Sequence, residues 1–127
     1  QRQMCIRDRE GMASYVKYLF KTVRKYFGEA IVVTQEVEDI ISSPIVKESI
    51  INNADCKILL DQRKYRNKFD QIQTLLGLTD KERAQVLSIN LSNDPARRYK
   101  EVFISLGGVQ SAVYATEVSD EEYLVRP

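Results

Sequence analysis

The chain has 127 residues and a formal net charge of +1. That length fits one domain or part of one, and the balanced charge argues against a strong field directed at nucleic acid or membrane. Histidine is absent. Its absence excludes Ser-His-Asp and Cys-His catalysis and disfavours a zinc or non-haem iron site, so we expect no metal ligands in this chain.

Two features of the sequence bear on the cellular location of the chain. No apolar run approaches the roughly 18 residues that cross a bilayer, so no transmembrane segment is expected. Cys5 and Cys56 match no motif spacing, which indicates a reducing, cytoplasmic location.

The opening segment Gln1–Arg9 has neither helical nor strand periodicity. We interpret it as non-native or unmatched, and residues 10–127 as the portion that folds.

The first predicted elements are a helix and a strand. Amphipathic periodicity predicts a helix over Gly11–Phe27, with Gly28 as its C-cap. The apolar run Ala30–Thr34 is rich in β-branched residues, which is typical of a strand buried on both faces inside a parallel sheet. It ends at Thr34-Gln35, and ligands of open α/β sheets bind beyond the carboxyl ends of strands. Glu36–Ile41 is predicted to form a short helical turn.

The next helix has clear start and stop signals. Ser43-Pro44 predicts an N-cap followed by the first helical position. The helix is expected to reach about Ile51 and to stop at Asn52-Asn53, since asparagine tolerates left-handed geometry. Cys56–Leu60 then predicts a second short apolar strand, which ends at Asp61-Gln62.

The second half begins with two more helices. An apolar stripe over Tyr65–Leu76 predicts a helix that ends at Gly77. Thr79–Glu82 has the capping-box pattern and opens a helix that reaches about Leu87. Ser92–Pro95 is predicted to be a turn.

The C-terminal region is predicted to be a hairpin. Val102–Leu106 and Ala112–Val118 are strand-like runs on either side of Gly107-Gly108. The predicted order of elements indicates an α/β fold, with buried short strands flanked by helices plus a C-terminal β-hairpin.

Polar residues at strand ends are the candidates for chemistry. A rigid amide such as that of Gln35 can both donate and accept hydrogen bonds, so it can orient a water or contact a γ-phosphate. An ordinary polar strand terminus is the alternative, and Asp61-Gln62 has the same two interpretations. The sequence contains no G-x-x-x-x-G-K-[ST] phosphate loop.

Basic pairs offer a second set of candidates. Arg24-Lys25, Arg63-Lys64 and Arg97-Arg98 are either solvated or helix-end charges, or arginines that reach a nucleotide on a neighbouring subunit. Bases and aromatic residues also interleave over Arg63–Lys68 and Arg97–Lys100. DNA is therefore a weakly supported alternative partner.

Three stretches of the chain resemble a known family. They are residues 11–62, which include AIVVTQEVED, residues 75–90 and residues 99–123. Together they closely resemble the C-terminal end of the TraG-type conjugation ATPase of Bacteroides-like bacteria. That family is related to the large ATPase of type IV secretion systems and to the HerA/FtsK-like P-loop motors.

The resemblance implies a partial, C-terminal half of a RecA-like P-loop NTPase fold. It implies an ATPase that uses ATP and Mg²⁺, forms a homo-oligomeric, hexameric motor with the conjugation machinery, and acts peripherally at the inner membrane. The chain departs from the family because it has no Walker A motif, and the unmatched Gln1–Arg9 stand where the Walker B acids would lie. Alone, it is expected to be inactive and to bind neither cofactor tightly.

The resemblance also implies roles for individual residues. Thr34-Gln35 match the family's strand-end Thr-Gln, whose glutamine senses the terminal phosphate. Arg24 matches a basic position that can act catalytically across a subunit interface. Arg63, as a nucleotide contact, and Arg98 are further candidates. The alternative function is a non-catalytic α/β protein-interaction module that uses the acidic end Asp120–Glu122.

Overall fold

The computed structural model of the chain describes residues 10–35, 43–91, 99–117 and 119–125. Its elements in chain order are α1 (Glu10–Thr22), a 3₁₀ helix (Val23–Tyr26), α2 (Pro44–Asn53), β1 (Cys56–Leu59), a 3₁₀ helix (Arg63–Lys68), α3 (Phe69–Leu76), α4 (Asp80–Leu87), β2 (Tyr99–Leu106), β3 (Gln110–Glu117) and α5 (Asp120–Val125). They divide into two compact units. The first comprises residues up to Ala54 together with Thr74–Gly77, and the second comprises the rest.

The first unit is built on the apolar faces of α1 and α2. Its buried cluster consists of Val16, Phe20, Val46, Ile50 and Leu75. Val16 and Phe20 are four residues apart and therefore lie on one face of α1. The predicted first helix is confirmed, although its last turn tightens into the 3₁₀ helix Val23–Tyr26.

The end of this helix corrects the prediction that Gly28 is its C-cap, because Phe27 occupies that position. Phe27 takes the left-handed conformation, with φ 54. Its N–H donates to the Arg24 carbonyl at 3.3 Å, and the Gly28 N–H donates to the Val23 carbonyl at 3.1 Å. These are the paired bonds of a Schellman motif. Gly28 is needed for space, because a Cβ there would lie 2.9 Å from Cγ2 of Val23.

The segment Ala30–Thr34 is not the predicted strand. It has no regular secondary structure, and the sheet that the structure describes consists of β1, β2 and β3 alone. Ala30 and Val32 pack against the buried cluster, while Ile31 and Val33 are 80% and 74% exposed. One side of the run is covered and the other is open, so the prediction of burial on both faces is wrong for this chain.

Helix α2 begins and ends where it was predicted. Ser43 occupies the N-cap in extended geometry, and Pro44 opens the helix. The helix does stop at Asn53, as predicted, but Asn52 and Asn53 are helical and neither takes the left-handed conformation. The Asn53 side chain donates to the Ser49 carbonyl at 2.8 Å, and the helix ends at Ala54, which is extended.

The second unit contains an antiparallel sheet in the order β1-β2-β3. Ile58 pairs with Ile104, and Phe103 pairs with Val113. The predicted hairpin is confirmed, and its turn uses positive φ at Gly107 (57) and Gly108 (72), where a side chain would be strained. The mixed α/β class is confirmed as well. However, β1 alternates exposed and half-buried residues and is not buried on both faces.

Helix α4 covers one face of this sheet. Phe103, on β2, is fully buried. At the neighbouring pair of the register, the Ser105 hydroxyl donates to Oε1 of Glu82, and the Ser111 hydroxyl donates to Oε1 of Gln85, both at 2.9 Å. These bonds join β2 and β3 to successive turns of α4.

The capping box at the start of α4 is confirmed. The Thr79 hydroxyl accepts from the Glu82 N–H at 3.2 Å, and Oε2 of Glu82 accepts from the Thr79 N–H at 2.8 Å. Burial raises the pKa of Glu82, but hydrogen bonds from Thr79 and Ser105 and the nearby Lys57 outweigh it, so the pKa lies below its ordinary value. The buried carboxylate stays ionised because the Thr79 N–H and the Ser105 hydroxyl donate to it and the positive charge of Lys57 lies nearby.

The helix predicted over Tyr65–Leu76 is confirmed for its later part, which forms α3. Phe69 and Ile72 are buried, and α3 ends at Gly77 with φ 63. The stretch Arg63–Lys68 forms the 3₁₀ helix that precedes it. The predicted turns at Glu36–Ile41 and Ser92–Pro95 lie outside the described residues, as do Gln1–Arg9, Arg97 and Arg98.

We predict that Glu82→Ala lowers the free energy of unfolding by about 1–3 kcal/mol, because it leaves the Thr79 N–H and the buried Ser105 hydroxyl without their acceptor. Urea unfolding followed by circular dichroism measures the loss. Lys81→Ala, at an exposed position of the same helix, is the matched control and should change stability by about 0.5 kcal/mol or less. Equal losses in the two variants would contradict the role of Glu82.

Candidate functional site

Thr34 and Gln35 lie at the exposed end of the extended segment that follows α1. The anchoring residues Ala30 and Val32 pack on the first unit's buried cluster. Beyond them Val33, Thr34 and Gln35 are all exposed, and the backbone bends at Gln35. The Gln35 amide is therefore accessible to a ligand, as a phosphate-contacting group must be.

Arg24 belongs to the same unit as Thr34 and Gln35. It lies in the 3₁₀ helix after α1 and is exposed, and its Nη2 donates to the Asn53 carbonyl at the end of α2 at 3.3 Å. This bond links the 3₁₀ helix to the end of α2. The position is compatible with the predicted role across a subunit interface, which stays a prediction.

Arg63 lies in the second unit and is bound to Asp61. Its Nε donates to Oδ1 at 2.9 Å and to Oδ2 at 2.8 Å, while Nη2 is 2.6 Å from Oδ2. The Arg63 N–H also donates to Oδ1, at 3.0 Å. The Asp61 carboxylate thus binds Nε and Nη2 of this guanidinium, and the nucleotide contact by Arg63 stays a prediction.

Asn90 and Glu101 extend this arrangement, and neither was predicted from the sequence. Asn90 adopts a left-handed conformation, with φ 56, just after α4. Its N–H donates to Oε2 of Glu101 at 2.7 Å, its Oδ1 accepts from the Glu101 N–H at 3.0 Å, and its Nδ2 donates to Oδ2 of Asp61 at 3.3 Å. An asparagine at a helix end is the sequence signal that could have indicated the turn.

Electrostatics fix the charge state of this network. The hydrogen bond from the Arg63 side chain, reinforced by its N–H and by Asn90, lowers the pKa of Asp61 from 3.8 to about 2, although partial burial opposes it. The same hydrogen bond raises the pKa of Arg63. Asp61 is thus an ionised carboxylate with its oxygens already bonded. Within the described ranges no group of His, Cys, Asp or Glu is arranged to hold a metal ion.

The described helices and the three-stranded antiparallel sheet form a mixed α/β fold, which is consistent with part of a P-loop domain. Residues 5–126 match the family described as TraG P-loop domain. The chain belongs to this TraG P-loop domain family. Comparisons with curated proteins and with solved structures gave no match.

The family match covers the predicted site residues without assigning them roles. It begins at residue 5 and so includes the end of the segment Gln1–Arg9. Arg24, Thr34 and Gln35 are exposed residues of the first unit, whereas Arg63 belongs to the second. None of the described helices is both long enough and apolar enough to span a bilayer.

We predict that the stability contributed by Asp61 depends on pH. Its folded pKa of about 2 lies below the ordinary 3.8, so the contribution is present above about pH 4 and is lost as pH falls toward 2. Wild type should be more stable than Asp61→Asn at neutral pH, and the difference should shrink over that interval. Urea unfolding at a series of pH values measures it.

Glu121→Gln provides the control, because Glu121 is an exposed acid in the first turn of α5. Its difference from wild type should stay small throughout. A gap between wild type and Asp61→Asn that is unchanged from about pH 5 to pH 2 would contradict the assignment.

Proposed function

We propose that the chain is the C-terminal part of a conjugative-transfer motor ATPase of the type IV secretion kind, with Gln35 as its nucleotide-sensing residue. The observation that carries this proposal is the segment Ala30–Gln35. It is an apolar run that packs on one side, stays open on the other and ends in an exposed amide. The family match supports the P-loop part of the proposal.

The open side of the segment favours a place within a larger sheet. Ile31 and Val33 expose their β-branched side chains, and Phe27, earlier in the chain, is fully exposed. Such residues are stabilised when neighbouring strands cover them, and long apolar runs occur where a strand is buried on both faces. A phosphate-loop strand from the remainder of the motor domain would supply that cover and would bring a nucleotide to the carboxyl end of the run.

Gln35 and Thr34 would act at that end by hydrogen bonding. The Gln35 amide can donate to a terminal phosphate oxygen and accept from an attacking water, which holds the water in line. The Thr34 hydroxyl can donate to the same phosphate. When bound, ATP and Mg²⁺ supply the phosphoryl group and the metal charge, and the cradle for them lies outside this sequence, which has no Walker A motif.

Arg24 would supply positive charge to a neighbouring subunit's nucleotide in the homo-oligomeric motor. Its exposure on the 3₁₀ helix just before the segment supports this role. An arginine that approaches a transferring phosphoryl group stabilises the charge of the transition state. A second copy of the chain is therefore a proposed partner, alongside the other proteins of the conjugation machinery.

In the full-length protein, we predict that Gln35→Ala lowers kcat for ATP hydrolysis by about 10²–10³, as does the loss of one preorganised hydrogen-bond donor elsewhere. ATP binding, measured separately with a fluorescent nucleotide, should change little. Gln71→Ala removes an exposed amide from α3 and should leave kcat unchanged. Full turnover in Gln35→Ala would exclude the sensing role and favour a non-catalytic interaction module.

For the isolated chain, we predict no tight ATP binding and no Mg²⁺-dependent hydrolysis. The backbone amides, lysine and metal ligand that stabilise the phosphates are not in its sequence. Calorimetric titration with ATP and a phosphate-release assay measure the two properties. Magnesium-dependent turnover by the purified chain would show that its own residues form a complete site, contrary to the proposal.

A further inference from the structure

The two outer strands of the sheet in the second unit differ in how their edges are protected. Among the described residues, the order β1-β2-β3 leaves one edge of β1 and one edge of β3 without a neighbouring strand. β1 has four residues and carries Lys57. Short strands and lysines are devices by which proteins prevent a further strand from pairing at a sheet edge. The edge of β1 is therefore protected against such pairing.

β3 differs from β1 in each of these respects. It is eight residues long, and its sequence QSAVYATE contains no lysine, proline or glycine. Each residue from Gln110 to Glu117 has its own partner on β2, so no bulge interrupts the strand or twists its edge away. An edge of this length and regularity is a template for a further strand.

The peptide groups of β3 supply hydrogen bonds along this edge. In an antiparallel pair, alternate residues of an edge strand direct their N–H and C=O groups away from the paired strand. At the start of β3 the Ser111 carbonyl accepts from Nε2 of Gln85 at 3.4 Å. We refer to the part of the edge beyond it, residues 112–117, as the open edge. The last four residues of the open edge are exposed.

The side chains of the open edge leave room for those of an added strand. Ala112 and Ala115 are small, and they lie on opposite faces of the sheet because successive side chains of a strand alternate. Tyr114 is 46% exposed, and an aromatic ring pairs favourably with a β-branched side chain on a neighbouring strand. The open edge therefore fits a strand that is rich in β-branched residues.

The charge at the far end of the open edge is acidic. Four exposed acids follow one another here: Glu117, Asp120, Glu121 and Glu122. Residues 101–125 contain no Lys or Arg. Lys100 on β2, which pairs with Thr116, is a base beside this end, but one base does not balance four acids. Charge complementarity therefore favours a partner segment that is basic where it meets this end.

We propose that the open edge of β3 binds an extended, basic segment of a protein partner by strand addition. Main-chain hydrogen bonds to β3 hold the segment, and its basic side chains meet the acidic end at Glu117. The inference stands apart from the proposed nucleotide-sensing function, because it uses none of the residues assigned to that function.

The test is fluorescence anisotropy of a labelled peptide titrated with the full chain. The peptide begins with two lysines and continues with alternating threonine and valine. An antiparallel added strand places its first residues beside the last residues of β3, so the lysines meet Glu117. The same peptide with N-methyl groups on alternate residues keeps its charge but loses half of its N–H donors. It should not bind measurably, and a peptide with glutamates in place of the lysines should bind more weakly.

Variants of the chain test the charge at the acidic end. Glu117→Gln with Glu121→Gln should weaken binding of the lysine peptide by about 2- to 30-fold, the range for loss of two exposed ion pairs. Glu29→Gln with Glu48→Gln removes the same charge from exposed positions of the first unit and should leave binding unchanged. Circular dichroism checks that both variants stay folded.

Hydrogen–deuterium exchange locates the bound peptide. Strand addition should slow exchange of the amides of residues 112–117 that face the open edge. The amides of β1 lie at the other edge of the sheet, and their exchange should not change.

Five results would overturn the proposal. The first is absence of binding, and the second is equal binding of the N-methylated peptide, which would indicate a general acidic surface. The third is equal binding of the glutamate peptide. The fourth is sedimentation showing that the chain self-associates and that the peptide disrupts the association, which would make a second copy the occupant. The fifth is binding by the isolated chain but not by the full-length protein, whose own remainder would then cover the edge.

Discussion

The structure depends on the rule that an apolar stretch of backbone needs cover for its side chains and partners for its peptide groups. In the first unit α1 and α2 bury each other's apolar faces. Ala30 and Val32 pack against the buried cluster that results. Ile31 and Val33 remain largely exposed, and no described strand pairs with the run. The open side of this run is the physical basis of the proposal that a further part of a P-loop domain covers it.

The second unit satisfies the same rule with polar bonds as well as apolar packing. The Glu82 carboxylate accepts hydrogen bonds from the Thr79 N–H at the start of α4 and from the Ser105 hydroxyl on β2. One side chain therefore caps the helix and also joins it to the sheet. Asp61 fills a similar role at the end of β1, where it binds Arg63 and Asn90. Arg63 thus has a structural partner, which separates it from the nucleotide roles proposed for the first unit.

Local signals in the sequence predicted local structure well. The capping box at Thr79 and the left-handed Gly77 depend on residues three to five positions apart, so both were predictable. The strand at Ala30–Thr34 was not, because burial on two faces requires neighbours that a local pattern cannot specify. Likewise Asn90 binds Asp61 and Glu101, which are 29 and 11 residues away, and no spacing rule joins them. Gln35 is exposed, but the strand end at which it was predicted to lie is not part of the described sheet, so its role stays a prediction.

The central claim is that the Ala30–Gln35 run becomes an internal strand when the phosphate-loop part of the motor domain is present. Hydrogen–deuterium exchange of the Ile31–Thr34 amides tests it most directly, with the isolated chain compared with the full-length protein. Strand pairing should slow exchange of these amides strongly in the full-length protein, while those of α4, already within a helix, should change little. Equally fast exchange of Ile31–Thr34 in both proteins would contradict the account.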